Sequence, residues 1–83
     1  MHIRSPKELA MVVMAKRKQL ELNQTQVGDL IGTKQKTISA FENKPENTQL
    51  ETLFRILAAL NLDIKIIDKN ENAMIKKTWK HEW

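Results

Sequence analysis

The sequence predicts a mainly α fold of four to five short helices, followed by one short strand near the C-terminus. Three observations predict it. Helix-start signals recur at Ser5-Pro6-Lys7-Glu8, Asn23 to Gln26, and Thr48-Gln49-Leu50-Glu51. Apolar residues follow each start at spacings of three and four. Only Leu62-Asp63-Ile64-Lys65-Ile66 alternates apolar and polar residues with a period of two. The 83 residues suffice for one domain with one small core.

The first helix is expected over about residues 6–20, with Ser5 at the cap, Pro6 at the first helical position and Glu8 completing a capping box. Leu9, Val12, Val13 and Leu20 form its inner stripe. Asn23 and Gln26 supply the next cap and box, opening a short helix over about 24–31. The two glycines of the chain, Gly28 and Gly32, both fall here. Gly32 suits the left-handed residue that ends a helix. Gly28 is interior, where glycine costs about 1 kcal/mol relative to alanine, and the expected reason is close approach of another helix. After a two-residue turn a third helix runs over about 34–42. Ile38 and Phe41 face inward, while Lys34, Gln35, Lys36, Thr37 and Ser39 occupy its other faces. Asn43-Lys44-Pro45-Glu46-Asn47 reads as a loop. Thr48 to Glu51 forms another capping box for an amphipathic fourth helix reaching residue 60 through Leu50, Leu53, Phe54, Leu57, Ala58 and Leu60.

The alternation from Leu62 marks a half-buried strand. A lone strand in a helical protein has no partner in its own chain, so Ile64 and Ile66 are expected to pair with a second copy in a symmetric dimer. The alternative is a C-terminal segment lying on its own helices. The chain thus divides into a helical domain (1–61), a dimerisation strand (62–68) and a polar tail (69–83).

Composition narrows the function. With 41% apolar and 29% charged residues the balance is globular, and no apolar run approaches the roughly 18 residues needed to span a bilayer. No signal-peptide cleavage pattern appears in residues 1–15. The absence of cysteine excludes disulfides and thiolate chemistry and fits a reducing cytoplasm. His2 and His81 stand at opposite ends without metal-ligand spacing, so no metal is expected. No nucleophile elbow, phosphate loop or paired-carboxylate cleft is visible, so the expectation is a protein that is not an enzyme and takes no cofactor, small-molecule ligand or membrane partner. The net charge of +4 is uneven. Residues 1–44 carry eight basic and four acidic side chains, whereas residues 45–83 carry six of each. The basic half is the one suited to a polyanion.

Two short helices joined by a glycine turn, the second rich in polar groups, form the layout of a helix-turn-helix. Val27, Gly28, Ile31, Gly32, Ile38 and Phe41 meet its apolar or small requirements. The chain resembles the lambda-repressor-like, or Xre-type, DNA-binding domains over residues 5–60. The stretch from Gln24-Thr25-Gln26 through Thr37-Ile38-Ser39-Ala40-Phe41-Glu42-Asn43 carries that resemblance. More narrowly, Ile38 to Thr48, the short strand and a polar tail ending in Glu82-Trp83 resemble the HipB antitoxins, which pair with HipA-type serine/threonine kinase toxins.

The resemblance implies that the third helix enters the major groove of double-stranded DNA. Lys34, Gln35, Lys36 and Ser39 then lie near base edges, with Thr37 among the DNA-facing residues. Lysine suits guanine O6 and N7, and glutamine suits adenine N6 and N7. Ala40 offers only methyl contact to thymine. Gln24 meets a phosphate at the start of the second helix, and Asn43 and Lys44 contact the backbone. Arg17 and Glu42 match a structural ion pair of the family. Thr33 stands where relatives carry an aliphatic residue. A dimer places two reading helices about 34 Å apart on an inverted-repeat operator.

Two of the four aromatic residues, Trp79 and Trp83, fall in the last five positions. Tryptophan is enriched among interface anchors, and the resemblance implies that the terminal residue inserts into the kinase. The alternative for each is packing on its own domain. The expected function is an antitoxin of the bacterial cytoplasm, on the nucleoid when bound to its operator. It represses its own operon and neutralises a kinase toxin. The other readings are a stand-alone Xre-type repressor and a protein-interaction adaptor with a vestigial motif.

Overall fold

Residues 2–69 are described in a computed structural model of the chain. Helix α1 spans Pro6–Gln19, α2 Gln24–Leu30, α3 Gln35–Asn43 and α4 Leu50–Ala59, with a single 3₁₀ turn at Pro45–Asn47 between the last two. Trp79 and Trp83 lie outside the described residues. No described helix is long and apolar enough to cross a membrane.

Local chemistry starts the helices. Ser5 Oγ accepts the Glu8 N–H at 3.1 Å, as expected, but the Glu8 carboxylate reaches one residue further back and accepts the Arg4 N–H at 2.6 Å. The capping box is therefore displaced rather than closed on Ser5. At α2 both halves form: Asn23 Oδ1 accepts the Gln26 N–H at 2.7 Å and Gln26 Oε1 accepts the Asn23 N–H at 2.8 Å. The expected box at Thr48 does not form. The Thr48 N–H donates to the Pro45 carbonyl in the 3₁₀ turn, which moves the helix start to Gln49, a cap without a side-chain hydrogen bond. Asn43 is the last residue of α3 rather than the first of a loop, and Lys34 is its cap rather than its first residue.

Three helices end in the same way. Glu21, Gly32 and Asn61 adopt φ of 60°, 73° and 58°, and the residues after them, Leu22, Thr33 and Leu62, donate back to the carbonyls of Arg17, Gly28 and Leu57. These are Schellman caps, with the left-handed residue just beyond the helix and a 6→1 bond closing the last turn. Only one uses glycine. Leu22 and Leu62, carried inward by their caps, pack against the core.

Ala10, Val13, Val27, Ile38, Phe41, Leu53, Ile56, Leu57 and Leu60 form that core. Leu20, expected on the inner stripe of α1, is exposed because it falls at the C-cap where the chain turns away. Leu50 and Phe54, expected in the amphipathic pattern of α4, are 70% and 55% exposed. That helix is apolar on a wider arc than its own core covers, and Ile56 takes an inner position instead. Gly28 serves a different neighbour from the one expected. A Cβ there would lie 2.9 Å from the Thr33 carbonyl oxygen and 3.1 Å from the Lys34 carbonyl carbon, so the turn backbone, not another helix, requires glycine.

The strand expected over 62–68 is not formed in the single chain. Those residues carry no regular hydrogen-bonded structure, and no strand occurs among the described residues. A ladder needs a neighbouring strand, and the described residues supply none. Ile64, Ile66 and Ile67 are all exposed there.

Candidate nucleic-acid interface

The Schellman turn at Gly32 and the close backbone approach at Gly28 set α3 across the end of α2. Ile38 and Phe41, both 1% exposed, anchor α3 from below. The opposite side of α3 is therefore outward by construction, and it presents Gln35, Lys36 and Ala40, with Lys34 at its cap. Ser39 and Thr37 are half-buried beside them. The Thr37 hydroxyl accepts from Thr33 Oγ1 at 3.0 Å, so Thr33, where an aliphatic residue is usual, stitches the turn to the helix by a hydrogen bond instead. Asn43 Nδ2 donates to the Ser39 carbonyl at 2.9 Å and to Ser39 Oγ at 3.2 Å, which fixes the amide along the end of α3.

Beneath this face lies a buried charge. Arg17 Nε and Nη2 donate to Glu42 Oε2 and Oε1 at 2.6 and 3.1 Å, while Arg17 Nη1 donates to the Leu22 carbonyl at 2.8 Å. Their side chains are 11% and 4% exposed. The bidentate fork ties the end of α1 to the end of α3, and the Schellman turn of α1 presents the carbonyl that takes a bond from the third guanidinium nitrogen. Gln24 Nε2 donates to the same Glu42 Oε1 at 2.9 Å, and Gln35 Nε2 donates to Gln24 Oε1 at 2.5 Å. No buried side-chain nitrogen or oxygen among the described residues lacks a hydrogen-bond partner.

Among the described residues singled out from the sequence, Arg17 and Glu42 pair beneath α3, Lys34 and Ser39 sit at its cap and on its side, and the others lie in three places. Gln24 and Gln35 meet directly, at the junction of α2 and α3. Lys36, Thr37, Asn43 and Lys44 line a cleft of about 500 Å³ between α3 and the start of α4. Ile64 and Ile66 lie on the segment beyond α4, on a different part of the chain. The cleft also takes in Asn47, Thr48, Gln49 and Thr52, which sequence reasoning did not assign. Their signal was available as the polar run Asn47-Thr48-Gln49, read there only as a loop and a cap. A basic, amide-bearing, outward helix is suited to phosphate oxygens and base edges together.

Comparison with known proteins agrees with this geometry. The Helix-turn-helix family matches residues 13–67. Antitoxin HipB of Escherichia coli (strain K12) is 40% identical over 82 residues, 98% of this chain and 93% of that protein. Antitoxin HigA1 of Mycobacterium tuberculosis (strain ATCC 25618 / H37Rv) is 30% identical over 73 residues, 88% of this chain and 49% of that protein. Among solved structures, the HipB chains of a complex described as "HipB-O4 20mer complex" and of one described as "Structure of HipA-HipB-O2-O3 complex" each superpose with a TM-score of 0.80 at 42% identity. Each covers 83% of this chain and is itself covered over 97%. The chain belongs to the Xre-type, lambda-repressor-like helix-turn-helix family and, within it, to the HipB-type antitoxins.

Proposed function

We propose that this chain is a DNA-binding antitoxin. It recognises an inverted-repeat operator of its own operon as a dimer, and it binds and neutralises a HipA-type serine/threonine kinase toxin in the bacterial cytoplasm. The observation that carries the reading is the outward face of α3, basic and amide-bearing, held on a buried Arg17–Glu42 pair, in a chain 40% identical to HipB over 98% of its length. The relatives' complexes, described as HipB with a 20mer and as HipA with HipB, support the two partners.

Lys34, Gln35, Lys36 and Ser39 serve the base edges, with Thr37 beside them, and Gln24, Asn43 and Lys44 serve the backbone. Residues 1–61 are the DNA-binding unit and 62–68 the dimerisation segment. Its exposed Ile64 and Ile66, together with the uncovered Leu50 and Phe54 of α4, give a second copy an apolar surface to bury. Trp79 and Trp83 in the tail are assigned to the toxin. The chain has no catalytic step of its own in this scheme.

The test is an equilibrium binding series on duplexes selected by the protein from a randomised library, with a parallel pull-down against a HipA-type kinase. Selection of a palindrome is expected, with affinity falling steeply as salt rises and a single half-site bound far more weakly. Lys44→Ala should reduce the salt slope by about one, whereas Lys36→Ala should relax specificity at the base pair it reads. Removal of residues 79–83 should release the kinase and spare the DNA. Selection of no sequence would refute the repressor role. Palindrome binding without retention of the kinase would leave a stand-alone repressor.

A further inference from the structure

We propose that Asp63 and Lys65 choose the partner of this chain: they set the register of an antiparallel pairing between two copies of residues 62–66 and restrict it to copies that carry the same charges in the same order. This rests on the reading of residues 62–68 as the dimerisation segment. Side chains alternate along an extended segment, so Leu62, Ile64 and Ile66 share one face and Asp63 and Lys65 the other. Leu62 packs against the core, so in the pair the apolar face continues over the helices and the charged face meets solvent. In the single chain Asp63 and Lys65 are exposed, and no ion pair among the described residues engages either.

Residues that face each other across a ladder point to the same side, so a two-fold axis between identical antiparallel strands sets one residue opposite its own copy. Ile64 on that axis is the one choice that suits every neighbour. It sets Asp63 opposite Lys65 of the second copy, and Lys65 opposite Asp63, while Leu62 meets Ile66 twice on the other face. Asp63 or Lys65 on the axis would face its own like charge, and Ile66 there would set Ile64 opposite Asp68 and Lys65 opposite Ile67. Opposite charges directly across a ladder stabilise it and like charges destabilise it. The cap of α4 fixes the phase of the hydrogen bonds. The Leu62 N–H is already given to the Leu57 carbonyl at 2.8 Å, so Leu62 belongs to a pair that exchanges no ladder bonds. Bonded and unbonded pairs alternate; Ile64 therefore meets its copy in the closer, unbonded arrangement, and Asp63 and Lys65 exchange backbone N–H and C=O with their side chains adjacent. An inverted repeat is read by two identical helices, so a charge order that rejects a foreign segment also keeps mismatched reading helices off the operator.

The experiment uses the full chain in two tagged forms of different mass, lets them exchange subunits, and counts homodimers and mixed dimers by native mass spectrometry. The double variant Asp63→Lys with Lys65→Asp keeps both charge pairs within its own dimer but sets like charges together against the wild type. It should dimerise as the wild type does, yet form mixed dimers with it about tenfold less often than chance. Asp63→Lys alone and Lys65→Asp alone should each dimerise about tenfold more weakly than the wild type. Mixed with each other, these two should recover wild-type affinity, since each introduced charge then faces its opposite. Both effects should shrink as salt rises, because the charged face is open to solvent. Free mixing of the double variant with the wild type, or no recovery between the single variants, would overturn the proposal. Ile64→Ser separates it from the reading beneath. A wild-type dissociation constant for Ile64→Ser would mean that the segment is not the interface, and both would fall; a weakened dimer alongside charge variants that pair without preference would overturn the proposal alone.

Discussion

Helices α3 and α4 are nearly equal in length, nine and ten residues, and each buries an inner apolar stripe in the same core, yet their outer faces are opposites. Helix α3 turns out Gln35, Lys36 and Ala40; α4 turns out Leu50 and Phe54. The polar face stands on a buried ion pair and a relay of amides, whereas the apolar face has nothing over it among the described residues. An amphipathic helix in a small domain needs only one buried side for folding, so the character of the other is free to serve partners. In this molecule one free side suits a polyanion and the other a protein surface.

The strongest way to break this comparison is to remove the charge beneath α3. Glu42→Ala leaves the Arg17 guanidinium, 11% exposed, without its carboxylate and deprives Gln24 Nε2 of its acceptor. Removing one partner of a buried pair costs roughly 3–5 kcal/mol, a large share of the stability of a domain this size. Thermal or urea unfolding should register it directly. A midpoint equal to wild type would mean that α3 does not rest on this pair.

The outer face of α4 gives the opposite result. Phe54 is 55% exposed, so Phe54→Ser should leave the unfolding of the dilute monomer almost unchanged. Its effect belongs to association. Each phenylalanine covered in a dimer contributes about 1.5–3 kcal/mol, so the substitution should raise the dimer dissociation constant at least about tenfold. Sedimentation equilibrium reads this. A wild-type dissociation constant would place the second copy elsewhere, and a large loss of monomer stability would mean that Phe54 packs inward.

These two faces were not equally legible in the sequence. The starts of α1 and α2 were readable because a cap is made within a few residues: Ser5 with Glu8, Asn23 with Gln26. The Schellman end at Glu21 was not, since glutamate at φ near 60° has no local signal and is held there with the following leucine packed on the core; Asn61 is a residue that takes this conformation readily and its signal went unused. Arg17 and Glu42 lie 25 positions apart, so residue patterns alone read each equally well as a solvated surface charge; the family resemblance paired them. The Gln24–Gln35 bond depends on how two helices cross, which no spacing rule reports. On α4, periodicity marked Leu50, Leu53, Phe54 and Leu57 alike as apolar. It could not separate residues covered by their own core from residues left for another chain, and for that reason Phe54 was grouped with the core and Ile56 was missed.

The smallest expected effect sharpens the comparison most, because it holds the chemistry fixed. Each helix contributes to an arginine–glutamate pair of almost identical length: Arg17–Glu42 at 2.6 Å and Arg55–Glu51 at 2.7 Å. Glu51 and Arg55, however, are 73% and 60% exposed and one helical turn apart. Water competes for both charges, salt screens them, and holding two long side chains together has an entropic cost, so pairs of this kind contribute about 0.3–0.5 kcal/mol. Glu51→Ala should therefore shift the unfolding midpoint by a degree or two at most, and the shift should shrink as salt is added. Loss from Glu42→Ala should persist at high salt, since its pair is shielded from the ionic atmosphere. If the two substitutions were equally costly, bond length rather than burial would govern these pairs, and the distinction between a face built on buried charge and one merely decorated with it would fail.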